Sequence, residues 1–400
     1  MIGLDISTVA MLDILLLRLP VRHVSAKTSA RTFFLQIRRG FATTPSLHVP
    51  APSPTSPEVK AAQAYCSNLV RKYDAPSYTL QYFIPAHILP AYTAIRAFNI
   101  EVARIPDLVS NAAVGAIRMQ FWRDTINATF DQQPPAEPVA MLLSSVLSRG
   151  QKLNKSWFMK IINTRDQKLS HPGFTSISEL ESYSEATYAT LLYLTLSALP
   201  LHSLAMDHLA SHIGKASGIV AVLRGFPLLA FPPPAHQSHT SPGAVGLPTG
   251  RDAQGIITLP LDAMSSAGVR EEDIFRRGPL ATGLKDAAFT VATRASDHLI
   301  TAREMLKNIK KLEDPGHEYE HMNDEGHDYS RYNSGVRLGT DRRIEEFEKG
   351  FSTIMGPAVS TQLWLDRLQK CDFDLFHNSM RQPEYKLPFA AWWRNKRQEF

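Results

Sequence analysis

Between Ala91 and Phe130 apolar and polar positions follow a helical period in two successive runs. Ile95, Phe98, Val102 and Ile105 recur at steps of three or four, which puts them on one side of an α-helix. Pro106 is expected to end that helix, since proline has no N–H to give to the helical ladder. Val114, Ile117 and Phe121 then resume the spacing and predict a second helix that buries those three side chains. On the first helix Arg96, Asn99 and Ala103 lie one above another, whereas Glu101 is turned about 200° from Asn99.

The same spacing recurs along the chain. Val59, Ala62, Tyr65 and Leu69 predict a helix from about Glu58, and further helices are expected over 139–147, 156–163, 179–196, 208–223 and 283–310, with two more after Arg342. Within 179–196 a polar first turn gives way to residues apolar on nearly every side, the mark of a helix at the centre of a bundle. In 208–223 Leu209, Ile213, Ala216, Val220 and Leu223 form the stripe, and Gly214 and Gly218 permit a close helix contact. An all-α fold is expected, one domain over 59–400 with no sheet beyond two short strands. A Pro, Gly, Ser and His-rich loop at 232–252 and an acidic, histidine-dotted stretch at 312–336 read as exposed, disordered insertions. The longest apolar run, Tyr188–Met206, contains Pro200 and His202, so no bilayer-crossing helix is expected.

Charge changes this picture only at the N-terminus. Of the net +5, nearly all lies in residues 1–50, where Arg18, Arg22, Lys27, Arg31, Arg38 and Arg39 face only Asp5 and Asp13. No acidic residue falls between Arg18 and Thr44, and Ser, Thr and Arg recur, so residues 1–41 read as a mitochondrial transit peptide cut after Phe41. Residues 42–58 read as a Pro/Ser linker. The remaining body is nearly neutral, which argues against a nucleic-acid surface. Cys66 and Cys371 form no metal or disulfide pattern, and His317, His321 and His327 lack a helix or cysteine to orient them as metal ligands.

Candidate chemistry comes from motif words. Arg96 followed by Asn99 and Ala103, then Arg118, Trp122 and Arg123, then Tyr183, and finally Leu223-Arg224, resemble the conserved helices of the squalene/phytoene synthase family. The resemblance covers about residues 60–390 and implies an isoprenoid-synthase-type helical bundle. Active members carry aspartate pairs, D-x-x-x-D, on two facing helices; the matching positions here are Asn99 and Ala103, Gly225 and Leu229. Ionising an allylic diphosphate needs Mg²⁺ held by carboxylates in octahedral geometry, which these four residues do not supply. Other acids, such as Glu185 or Asp107, would have to replace them. Arg96, Arg118 and Arg224, with Tyr183, are candidates for binding an anion or lipid headgroup.

Finer words, among them Ile95–Glu101, Leu191–Leu196 and Gly214–Val220, resemble a non-catalytic mitochondrial branch of the family. That likeness implies no catalytic residue, no metal and no cofactor. It also implies partners among subunits or assembly intermediates of NADH:ubiquinone oxidoreductase at the matrix face of the inner membrane. Trp392-Trp393 beside Arg394, Lys396 and Arg397 has the makeup of a peripheral lipid contact. The alternative is a divergent prenyl-diphosphate transferase. On the non-catalytic reading Asn99→Ala is expected to be nearly neutral, and Leu192 should fill a channel that a smaller residue would leave open.

Overall fold

Ser56 caps the first helix, accepting from the Val59 N–H at 3.3 Å, and Pro57 sits in the first turn, where its missing N–H costs nothing. A computed structural model describes residues 56–109, 111–199, 203–232, 255–311, 319–321, 327 and 340–400. The expected transit peptide, the linker up to residue 55, the loop at 233–252 and most of 312–336 lie outside the described residues. No strand occurs among the described residues.

Helix α1 (Pro57–Tyr73) buries Val59, Ala62, Cys66, Leu69 and Val70. Tyr65 points outward and donates to Glu101 at 3.0 Å, which confirms that Glu101 faces away from Asn99. Asp74 ends α1 and caps α2 (Ala75–Leu80). Helix α3 (Leu89–Ala103) is buried at every residue from Ala91 to Ile100. Pro106 does not simply end it: the chain re-forms as a short helix, α4 (Ile105–Leu108), with Pro106 in its first turn. Helix α5 (Ala112–Phe130), capped by Asn111, corrects a second expectation. Its inward stripe is Met119, Trp122 and Ile126, while Val114, Ile117 and Phe121 are 39%, 70% and 49% exposed. Both stripes have helical spacing; the inner one is fixed by Trp122, which meets Phe98 edge-on at 5.6 Å.

After α6 (Pro138–Ser148) and α7 (Lys155–Ser170), the run expected as one helix is broken into three pieces: α8 (Ile177–Ser184), a π-helical turn (Glu185–Ala189) and α9 (Thr190–Ala198). Helix α10 (Leu204–Ala230) packs against all three. The glycines on α10 explain how: a Cβ on Gly214 would lie 2.3 Å from the Ala189 Cα, and one on Gly218 would lie 2.5 Å from the Ser184 Cβ. By length and composition α10 could cross a membrane, contrary to the sequence expectation. Its apolarity is accounted for by core packing on α8, α9, α13 (Leu284–Lys311) and α14 (Thr340–Lys370). Two short helices, α11 (Leu261–Ser266) and α12 (Glu271–Arg277), precede α13, and α15 (Leu387–Arg397) lies on α14 and α2. The two helices expected after Arg342, the second around Trp364, are one continuous helix, α14, and the Pro-containing tail expected after them forms α15.

Where it is described, the acidic stretch after α13 keeps its expected exposure at Glu320 but not at two other residues. Tyr319 is buried, and the His327 side chain retains 1% of its surface. Neither residue belongs to a periodic pattern; both are held by partners distant in sequence.

Candidate functional site

Asn99 and Arg165 are buried together. Arg165 projects from α7 at the next place in the inward series Phe158, Ile161, Ile162, and its guanidinium donates to both the backbone carbonyl of Asn99 (2.8 Å) and its side-chain oxygen. Thus a neutral amide accepts from a buried cation at the position that the family resemblance aligns with a metal-binding carboxylate. Asn99→Ala is accordingly not expected to be neutral, since it would leave Arg165 without its side-chain acceptor.

Arg96, one turn before Asn99, is buried with its guanidinium over the Tyr92 ring at 5.4 Å, and its Nε has no hydrogen-bond partner. The Nε of Arg165 is likewise buried and unbonded. On α10, Arg224 lies over the Trp364 ring at 5.7 Å. Its side chain reaches solvent, but surrounding protein displaces enough water to lower its pKa. Tyr188, in the π turn, joins the two helices electrostatically. Burial and Tyr183 push its pKa up to about 12, against the opposing pull of Arg165 and Arg224. Asp74 is the carboxylate felt by both Tyr188 and Arg224.

The remaining predicted residues fall as follows. Ala103 is exposed at the end of α3, and Leu229 on α10 and Arg118 on α5 are exposed as well. Gly225 is half-buried, and a Cβ there would meet only Leu229, at 3.8 Å. Tyr183 packs edge-on against Phe174 at 5.4 Å. Leu192 is buried, as a channel-filling residue would be. Of the acids that would have to replace the aspartates, Asp107 is exposed on α4, and Glu185 is engaged by Tyr193 and Ser211. A Mg²⁺-bound diphosphate does not fit this donor set. An amide already accepting from arginine, an alanine, a glycine and a leucine offer no anionic oxygen, and among the described residues no three His, Cys, Asp or Glu side chains group to hold a metal. What the cluster can do chemically is receive an anion on arginine N–H groups. Arg165 and Tyr188 were missed from sequence; the available signal was an arginine at a core position of an otherwise apolar stripe.

The helical architecture and the signature positions belong together. The family model for squalene/phytoene synthase matches residues 70–230 and 247–316, and the chain belongs to that family. Among its relatives, rat NADH dehydrogenase (ubiquinone) complex I, assembly factor 6, is 32% identical over 345 residues, covering 86% of this chain and 85% of the relative. The human protein of the same name is 32% identical over 333 residues, covering 82% and 81%. In three dimensions the chain resembles a dehydrosqualene synthase (TM-score 0.58, 15% identity, covering 85% and 97% of the two chains). It also resembles squalene synthase HpnC from Alicyclobacillus acidocaldarius (0.55, 13%, covering 80% and 98%). At these identities the structural likeness establishes the isoprenoid-synthase-type fold.

Proposed function

We propose that this chain is a non-catalytic assembly factor for mitochondrial respiratory complex I, built on a prenyl-synthase scaffold. The observation that carries the reading is the Arg165–Asn99 contact: a guanidinium and an amide meet at the position that the family resemblance aligns with a metal-binding carboxylate, which head-to-head prenyl transfer needs. The names of the relatives support the choice of complex I. Purified protein should release no pyrophosphate from farnesyl or geranylgeranyl diphosphate at any Mg²⁺ concentration. In cells lacking the protein, matrix-arm intermediates of complex I should fail to mature and should be restored by the intact chain. Pyrophosphate release that depends on Mg²⁺ would instead favour a divergent transferase.

The same reading places the protein at the matrix face of the inner membrane after removal of residues 1–41. Its lipid contact is α15, where Phe389 and Trp393 are exposed one turn apart and Lys396 and Arg397 lie over the Trp392 and Trp393 rings at 5.6 and 4.5 Å. Alkaline carbonate should extract the protein, and a membrane-retained fraction would indicate an anchor. Arg96, Arg165 and Arg224, with Tyr183 and Tyr188, are the residues to hold an anionic headgroup, a role supported by the unbonded Nε atoms of Arg96 and Arg165.

A further inference from the structure

Helix α5 turns Gly115, Met119, Trp122, Ile126 and Thr129 inward. On its other side Ala113, Val114, Ala116, Ile117 and Phe121 are all exposed, Ile117 at 70%. The outer face of α13, by contrast, carries Lys285, Asp286, Arg294, Asp297, Glu304 and Lys307, the solvated surface that an amphipathic helix normally shows. Among the exposed residues of α5 two are charged, Arg118 and Asp124, and their signs are opposite. Val114, Phe121 and the half-buried Ala128 stand seven residues apart, so they fall in one line along about 21 Å of helix.

This strip is preformed. Gly115 lets α5 approach α7 so closely that a Cβ there would lie 2.9 Å from the Leu169 side chain, and Arg123 donates to Asn163 of α7 at 2.9 Å. A partner therefore meets a fixed row of side chains and little is lost in ordering them. The charges select which partner fits. Arg118 and Asp124 stand three residues on either side of Phe121, and Asp124 is steadied by the Gln120 amide at 2.8 Å. A second α5 laid antiparallel across Phe121 brings Arg118 of each copy level with Asp124 of the other, whereas a parallel one sets like charges level. The antiparallel register also puts Phe121 on Phe121 and Val114 opposite the small Ala128, and it opposes the two helix dipoles.

We propose that the outer face of α5 is a self-association surface, through which two copies of this chain pair antiparallel about a two-fold axis at Phe121. The same patch serves both copies, so the assembly closes at a dimer. Two such strips remove on the order of 1,200 Å² from water, the lower edge of what specific complexes bury, so the dimer is reversible and forms in the micromolar range.

Sedimentation equilibrium of the full chain between about 1 and about 100 μM tests this: the mass should rise from one chain toward two. Ile117→Glu, at a position already open to water, should hold the protein at one chain throughout, with an unchanged helical circular dichroism spectrum. Arg118→Asp should weaken pairing about fivefold, and adding Asp124→Arg should restore it, because the signs are then exchanged on both copies. Disulfide crosslinking in a Cys371→Ser background, where the remaining Cys66 is buried, reads the register. Phe121→Cys should crosslink to itself; Val114→Cys should not, yet should crosslink when mixed with Ala128→Cys. A single chain at every concentration would overturn the proposal, even if α5 held some other protein. So would a dimer that survives Ile117→Glu, a charge reversal that the second substitution fails to rescue, or Val114→Cys crosslinking to itself in place of Phe121→Cys. Should Ile117→Glu lose helicity, the charge reversals and the crosslinks decide.

Discussion

Among the described residues, buried cations outnumber carboxylates around Arg224, and carboxylates outnumber permanent cations around His208, although one helix, α10, runs through both places. At the first end the charges are arginines, held by an amide, a backbone carbonyl and aromatic faces. At the second they are carboxylates, held by hydroxyls and imidazoles. The difference is one of adjustability. A guanidinium keeps its charge at every accessible pH, so the arginine end stays positively charged. The hydroxyls of Tyr193 and Ser211 that hold Glu185 are neutral and can rotate to suit their acceptor, so the acidic end is held by adjustable dipoles.

The most disruptive way to break the comparison is to charge the apolar core beside the arginine end. Phe98 is fully buried between Trp122 and Phe158, and Phe98→Asp should place an unpaired charge there, costing more than about 4 kcal/mol and preventing accumulation of folded protein in a solubility assay. Next, Glu185→Ala should cost about 3 kcal/mol in urea unfolding, because the hydroxyls of Tyr193 and Ser211 lose a shared buried acceptor. Asn99→Ala should cost about 2 kcal/mol for the same reason at the arginine end, whereas Arg165→Met, which removes the cation itself, should cost less than Asn99→Ala. Equal losses for those two would show that Arg165 does not depend on Asn99.

Acid titration sharpens the contrast further. Burial raises the Glu181 pKa, but hydrogen bonds from His298 and Arg294 outweigh it and bring the value down to about 2 from 4.5. A depressed carboxylate stabilises the fold above its unfolded value and loses that contribution as pH falls toward the folded value, here between about 4.5 and about 2, at most about 3 kcal/mol. The stability of Glu181→Gln should therefore fall less steeply than wild type over that window. The smallest effect on stability is expected at the surface: Phe389→Ser with Trp393→Ser should change unfolding by less than about 0.5 kcal/mol while abolishing sedimentation with anionic vesicles.

Much of the fold could be read from periodicity because apolar residues four apart must share a face. Ile95, Phe98, Val102 and Ile105 are all buried, and Gly214 and Gly218 sit where backbones nearly touch. Helix α5 escaped because it carries two apolar stripes, and spacing alone does not say which one finds a neighbour. The arginine end was half legible: Arg96, Asn99 and Arg224 stand in motif words, while Arg165 comes from a helix with no such word. The acidic end was hidden almost entirely. Its partners, Tyr319 and His327, meet Tyr193 and Asp207 across more than a hundred residues, and isolated side chains in a polar stretch leave no periodic trace.

The π turn at Glu185–Ala189 carries a historical consequence. Such a turn holds more residues than an α-helical one, and removing one residue would rotate α9 by about 100° relative to α8. Tyr193 would swing away from Glu185, and the close fit of Ala189 on Gly214 would be lost. Once that pairing and that fit were in place, a lineage could not shed the extra residue by a single deletion without passing through a poorly folded intermediate. The turn would thus act as a ratchet against single deletions in this stretch.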